Sequence, residues 1–279
     1  MATEVALVIG ASRGLGAAIA AELARRDPAC PVLATGRGGF ALPCDPHPPP
    51  PNLVALPGID VSSDDCVPAL QAAVGDRLIR TLIISAAAMV PDEGARGLLL
   101  SGGSGAGLAG VASQFQTNAL GPVRVVAALA GRLRPGGKLV LVASRTGLPS
   151  RMRAAGTGGM LGYRASKAAA LAVGLILAAD LAPQGVAVAS IHPGTVETDM
   201  YRAWHRLQEG HGVASGGSGG GGGDAGGTAP TAAAAVAPRT HAPVSAEAAA
   251  ARLLDIIDSK VSLERTGRVW DEEGVEMAF

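Results

Sequence analysis

Val5-Ala6-Leu7-Val8-Ile9 runs without a break into Gly10-Ala11-Ser12-Arg13-Gly14-Leu15-Gly16, and the reading of these twelve residues decides the fold. Five apolar residues in a row, with no alternation, describe a strand buried on both faces, as in the interior of a parallel sheet. Three glycines then let the backbone turn sharply and let another group approach with no Cβ in the way. An Ala-rich helical pattern follows to about Arg26, so the turn delivers the chain to a helix N-terminus. The unpaired N–H groups and positive dipole end found there suit an anion. An ordinary tight strand-to-helix turn would look the same; its place straight after the first strand favours the anion.

Outward from this turn, Pro31–Thr35 reads as a second strand, which closes a βαβ unit of about 30 residues. The Pro-rich stretch from Gly36 to Pro51 is predicted to be a loop, since proline can join neither a central strand nor a helix interior. Leu53–Leu56, Leu82–Ser85, Lys138–Val142 and Val186–Ile191 are predicted strands, with Arg268–Trp270 at an edge. Ser63–Val74, Leu108–Leu133, Tyr163–Leu181 and Ala246–Asp258 are predicted helices. This alternation implies an α/β fold: a doubly wound parallel sheet of about seven strands with helices on both faces. Ligands in such sheets bind beyond the carboxyl ends of the strands. The stretch 212–240, mostly Gly, Ala and Ser up to Gly227, is expected to be a disordered insertion within one domain spanning 1–279.

Apolar residues make up 48% of the chain, enough for a sizeable core. Lysine plus arginine equals aspartate plus glutamate at 23 each, so the chain carries no electrostatic footprint for nucleic acid. Cys30, Cys44 and Cys66 are isolated and read as reduced thiols, and the five histidines show no metal-ligand spacing. No targeting segment is visible, and the apolar run Ala165–Ala179 is short for a membrane span. The expectation is a soluble cytoplasmic protein, monomer or homodimer, with no metal and with a small-molecule partner.

Chemistry concentrates in Tyr163-Arg164-Ala165-Ser166-Lys167. Tyrosine and lysine at i, i+4 share a helix face. A cation there would lower the phenol from its usual pKa near 10 and make it a usable proton donor. The chain has only two tyrosines, and one falls on this pattern. Ser144 directly ends a strand and could hold a substrate carbonyl, or simply serve as a loop or cap residue. Ser150, 13 residues before Tyr163, competes with it from an Arg-rich insertion; Ser144 is preferred for its place at the strand end. Asn118 sits unfavourably inside a predicted helix, either bonding backbone groups or holding a water against the lysine. The second strand ends Thr35-Gly36-Arg37 with no carboxylate for a ribose 2′-hydroxyl, while Arg13 and Arg37 suit a 2′-phosphate. That favours NADP over NAD, unless Arg37 is merely a solvated loop residue. Asp60 at the end of the third strand reads, taken alone, as a helix cap.

The spacing Gly10-x-x-x-Gly14-x-Gly16, then Asn118, Ser144, Tyr163-x-x-x-Lys167 and Pro193-Gly194 in that order, resembles the short-chain dehydrogenase/reductase family from Val5 to about Tyr201 and again near Ser245. The segments 163–169, 192–200 and 266–271 resemble its C-factor-like and sniffer-like carbonyl reductases. The resemblance implies a Rossmann-type sheet and an NADPH-dependent carbonyl reductase with Asn118, Ser144, Tyr163 and Lys167 as catalytic tetrad. Asn118 would then link Lys167 to water. It implies cofactor contacts from Gly10, Ser12, Arg13, Gly14, Leu15, Gly16, Arg37, Asp60, Val61 and Ala86, and from Asn118, Tyr163, Lys167, Pro193, Gly194, Val196 and Thr198. Two departures stand out: Ile9 replaces a usual threonine, and Ile84-Ser85-Ala86-Ala87 replaces Asn-Asn-Ala-Gly. The second, with the polyglycine stretch, motivates an alternative: a catalytically weak NADP-binding regulatory protein of the same fold.

Overall fold

The apolar run that opens the chain becomes the hub of the sheet. The computed structural model describes residues 3–41, 48–90, 105–155, 159–210 and 242–278. Within these, β1 (Glu4–Ile9) pairs in parallel with β2 (Val32–Thr35) on one side and β4 (Leu78–Ile84) on the other. β3 (Leu53–Leu56) lies outside β2, and β5 (Leu133–Val142), β6 (Ala187–Ile191) and β7 (Arg268–Trp270) continue beyond β4. The order is β3-β2-β1-β4-β5-β6-β7, every pair parallel. The winding reverses between β1 and β4, and the crevice at their carboxyl ends is where such sheets take ligands.

Alternate residues of each strand feed two layers. On one face, Val8, Val140 and Ile191 meet Ile19 of α1 (Gly14–Arg26) and Leu253, Leu254 and Ile257 of the last helix, Ala246–Lys260. On the other, Leu7, Ile9, Leu82 and Leu139 meet α2 (Cys66–Val74) and the long helices that carry Leu129 and Leu181. Both faces are dry, which is why the strands read as unbroken apolar runs.

The boundaries differ from expectation where polar residues interrupt an apolar pattern. β4 starts at Leu78 rather than Leu82, because Arg80 and Thr81 hide its first turn of pleat; Arg80 is accommodated by Asp27 at 2.6 Å. α2 starts at Cys66 rather than Ser63, since the Ser63 hydroxyl accepts from the Asp65 N–H and holds a turn there. The predicted helix 108–133 is α3 (Gly105–Phe115), a π segment (Gln116–Leu120), α4 (Gly121–Leu129) and a 3₁₀ turn. Pro122 explains the break: it has no N–H to give the Asn118 carbonyl four residues back, and its ring crowds that carbonyl in an α-helix. One helix escaped the sequence reading, α5 (Pro149–Ala155), whereas α7 (Asp199–Gly210) falls where Tyr201, Trp204 and Leu207 stand at helical spacing, as pocket-lining or packing residues. α6 (Leu161–Leu181) is long and apolar enough to cross a membrane, yet one face, including Ser166 and Lys167, is buried as in a core helix. The last helix is α8. The stretch 212–240 and Cys44 lie outside the described residues; Cys30 and Cys66 are buried free thiols.

Candidate active site

The glycine turn closes tightly under the crevice. Gly10 has φ +81, and a Cβ there would come 2.5 Å from the Ala86 Cα, so neither conformation nor space admits a side chain. Gly14 has φ +57 and faces Thr198, whose methyl would sit 3.5 Å from a Cβ at Gly14. Thr198 thus stands across the turn, directly before α7. Among the described residues no side chain caps α1, and its first turn holds no acidic residue. Its N–H groups are left for an outside acceptor, so the cradle fits a dinucleotide's phosphates. Arg13 is exposed at this end and pairs with Asp199 at 3.5 Å. Arg37 is exposed just beyond β2, close enough to Asp60 to act on its charge.

Asp60 does not cap α2. Its carboxylate accepts from the Ser62 N–H at 3.0 Å and from the Ser62 hydroxyl at 2.8 Å. Burial works to raise its pKa, but these two donors and Arg37 carry it below the usual carboxylate range. Val61 beside it is buried against Gly121. Arg124, missed from sequence, donates to the Val61 and Gln116 carbonyls at 3.2 and 3.0 Å and ties this wall to the π segment.

Ser144 and Tyr163 meet at the rim where β5 ends. Ser144 caps the 3₁₀ turn Arg145–Gly147, accepting from the Thr146 N–H, and its hydroxyl lies 2.8 Å from that of Thr146. The Tyr163 hydroxyl lies close enough to the Ser144 side chain for that hydroxyl to favour the phenolate. Ser150 is exposed on α5. Lys167 is buried one turn along α6, 5.9 Å from the Tyr163 ring centre, and its ammonium donates to the Val142 carbonyl at 2.9 Å. Burial pulls Lys167 down to about 8. Burial also pushes the Tyr163 phenol up, with the Ser144 hydroxyl opposing it. The expectation that the lysine would lower the phenol is not met: burial sets the upward direction, and the ammonium is turned to Val142.

Asn118 is buried in the π segment and serves the backbone. Its carbonyl oxygen accepts from the Ala88 N–H at 2.7 Å; its amide donates to the Ala88 carbonyl at 2.8 Å and to the Ser166 hydroxyl at 2.9 Å. Ser166 in turn donates to the Tyr163 carbonyl at 2.9 Å, so Asn118 braces the loop after β4 against α6. Among the described residues, none of these bonds reaches Lys167. A cavity of about 10 Å³ between Asn118 and Lys167, lined also by Pro122, Val142 and Ser190, has room for about one water.

The remaining expected residues frame the crevice. Pro193 and Gly194 (φ +83) follow β6, and Val196 is buried and bridges to Val244. Ser12 and Leu15 flank the glycine turn, and Ala86 packs under Gly10. On α7 the Tyr201 and Trp204 rings stand 6.1 Å apart; the side chain of Leu207 lies outside the described residues. Sequence reasoning also missed a charged cluster beside Ser144. The Arg145 guanidinium bonds both His192 and Glu272. Burial, then Arg145, push the His192 imidazole down to about 3. Arg145 and His192 adjoin Ser144 and Pro193 in sequence, and that adjacency was the available signal.

A family model described as short chain dehydrogenase matches residues 4–209. The 1-hydroxy-2-glutathionyl-2-methyl-3-butene dehydrogenase of Rhodococcus sp. (strain AD45) is 33% identical over 199 residues, covering 70% of this chain and 78% of that protein. C-signal of Myxococcus xanthus is 41% identical over 92 residues, 33% of this chain and 55% of its own. Among solved structures, a short-chain dehydrogenase/reductase from Burkholderia multivorans with bound NADP superposes with a TM-score of 0.69 at 23% identity over 100% of both chains. The carbonyl reductase Sniffer of D. melanogaster does so with 0.66 at 20% identity, over 99% of this chain and 100% of its own. At these identities the two structures share the fold.

Proposed function

The chain belongs to the short-chain dehydrogenase family, and we propose that it is an NADPH-dependent reductase of a ketone or aldehyde with Tyr163 as proton donor. One observation carries this reading: the Tyr163 hydroxyl lies within reach of the Ser144 side chain where β5 ends, with Lys167 a turn further along the same helix. The glycine cradle, Arg13 and Arg37, and the absence of a carboxylate at the end of β2 support NADP, as does the NADP bound in the Burkholderia structure. When bound, the cofactor supplies the hydride.

This chain's residues do the rest. Ser144 holds the carbonyl oxygen, and Tyr163 gives it a proton as negative charge develops. A phenol raised by burial keeps its proton across the neutral range, which suits the reductive direction. Lys167 would hold ribose hydroxyls and return a proton to Tyr163 once the cofactor draws its ammonium from the Val142 carbonyl. Asn118 and Lys167 line the same small cavity, where a water could link them for proton resupply. The Rhodococcus relative is named for an alcohol bearing a glutathionyl group. Between Ser144 and Tyr163 this chain carries Arg145, Arg151 and Arg153 and no acidic residue, and the last two favour a substrate with carboxylates.

Tyr163→Phe should cut turnover about 10²- to 10⁴-fold while leaving NADPH affinity close to wild type. Undiminished turnover in that variant refutes the assignment. The match to C-signal and the Ile84–Ala87 departure favour a second reading, a weakly catalytic NADP-binding regulatory protein. NADPH binding with no oxidation across a panel of aldehydes, diketones, quinones and carboxylate-bearing ketones would select it.

A further inference from the structure

The ends of β5, β6 and β7 meet in a charged cluster that the proposed chemistry does not use. Arg145 Nε donates to His192 Nε2 at 2.6 Å, and a terminal N–H of the same guanidinium donates to Glu272 Oε1. His192 Nε2 stands 3.8 Å from Glu272 Oε2. His192 and Glu272 are buried, and the Arg145 side chain is 23% exposed. Because Nε2 accepts, the ring proton of a neutral imidazole sits on Nδ1. That atom and Glu272 Oε2 are buried without a hydrogen-bond partner among the described residues. The other charged groups acting on the ring are Lys167 and Arg151.

Such a cluster is a poor device for stability. Unsatisfied buried polar atoms carry a penalty, and apolar replacements of a buried ion pair are often neutral or stabilising. Its position suggests another use. Arg145 is the first residue of the 3₁₀ turn that Ser144 caps. The opposite side of that turn is pressed on α6, where a Cβ on Gly147 would come 2.7 Å from the Lys167 carbonyl carbon. One side of the turn is therefore set by the catalytic helix and the other by the Arg145 fork.

Building on the roles assigned above to Ser144 and Tyr163, we propose that Arg145 is a positioning residue: its guanidinium, clasped by His192 and Glu272, locks the turn that holds the Ser144 hydroxyl against the Tyr163 hydroxyl. The clasp joins residues 127 positions apart and makes the alignment of Ser144 depend on the segment after β7. Lysine cannot substitute, because a single ammonium lacks the planar fork that reaches both partners.

The test compares wild type, R145M, R145K, E272Q and R145M/E272Q by kcat and KM for the carbonyl substrate, NADPH affinity, thermal melting, and ¹³C NMR of tyrosine labelled at the hydroxyl-bearing carbon. With two tyrosines, Tyr201 is the internal reference. R145M should lower kcat about ten- to hundredfold, the scale of a small misplacement, with KM and NADPH affinity little changed. The Tyr163 resonance should move while that of Tyr201 stays. R145K should recover little, E272Q should lose less, and the double variant should be no worse than R145M, because the two side chains act as a unit. A folded R145M with wild-type kcat and an unmoved Tyr163 signal overturns the proposal, even if its melting temperature drops. Should R145M not fold, E272Q decides by the same two readouts. If wild type binds no NADPH and reduces no carbonyl, the proposed function fails, while the Tyr163 signal still judges the clasp.

Discussion

Replacing Lys167 with methionine should make the ligand-free protein more stable at neutral pH while abolishing turnover. Lys167 is 4% exposed, and its ammonium donates to the Val142 carbonyl. Burial lowers its pKa from the ordinary 10.5 to about 8. At about 1.36 kcal/mol per pH unit, the gap corresponds to about 3 kcal/mol of extra cost for holding the charge inside. Below pH 8 the lysine is protonated in both folded and unfolded chains, so the folded state bears the full cost. Between pH 8 and 10.5 the folded chain releases its proton first, and the cost fades as pH rises. Methionine has similar reach and no charge, but it leaves the Val142 carbonyl without this donor, which returns about 1–2 kcal/mol. The expected net gain is about 1–2 kcal/mol at pH 7, a few degrees in Tm. Urea unfolding of both proteins without cofactor, at pH 7 and near pH 10, measures it. The advantage should be present at pH 7 and shrink or reverse near pH 10. A variant destabilised equally at both pH values would refute the reasoning, because the ammonium could not then be carrying a desolvation cost.

Two further substitutions probe the cofactor end. Gly10→Ala combines φ +81 with a 2.5 Å approach to Ala86; it should destabilise the fold by about 2–5 kcal/mol and weaken NADPH binding, read by chemical denaturation and fluorescence titration. A near-neutral result would mean the turn relaxes freely. Arg37→Ala should weaken NADPH binding about 10- to 100-fold, the worth of one charged hydrogen bond, and leave NADH binding nearly unchanged. Equal losses for the two cofactors would place the 2′-phosphate elsewhere.

Much of the fold was legible because the deciding signals are local. The run Val5–Ile9, the three glycines and the Ala-rich helix after them are contiguous, and a sheet dry on both faces writes its strands as unbroken apolar stretches. Tyr163 and Lys167 were legible for the same reason, since four residues on a helix place two side chains on one face. Even the π segment had a local mark, Pro122 four residues after Asn118, though its meaning emerges only once Asn118 is seen bonded to Ala88 and Ser166.

By itself the sequence determined the strand order's raw material, the glycine cradle and which residue types stand at the strand ends. Only the tertiary structure decided how those groups are charged and aimed. Burial, a property of the packed molecule, pushes Lys167 down and the Tyr163 phenol up, the latter against the expectation from their spacing alone. The Asn118 side chain bonds Ser166 and so braces α6, and Arg145 finds Glu272 across 127 residues. Chain periodicity extends over a few residues, whereas water exclusion and ion pairing depend on what the finished fold brings together.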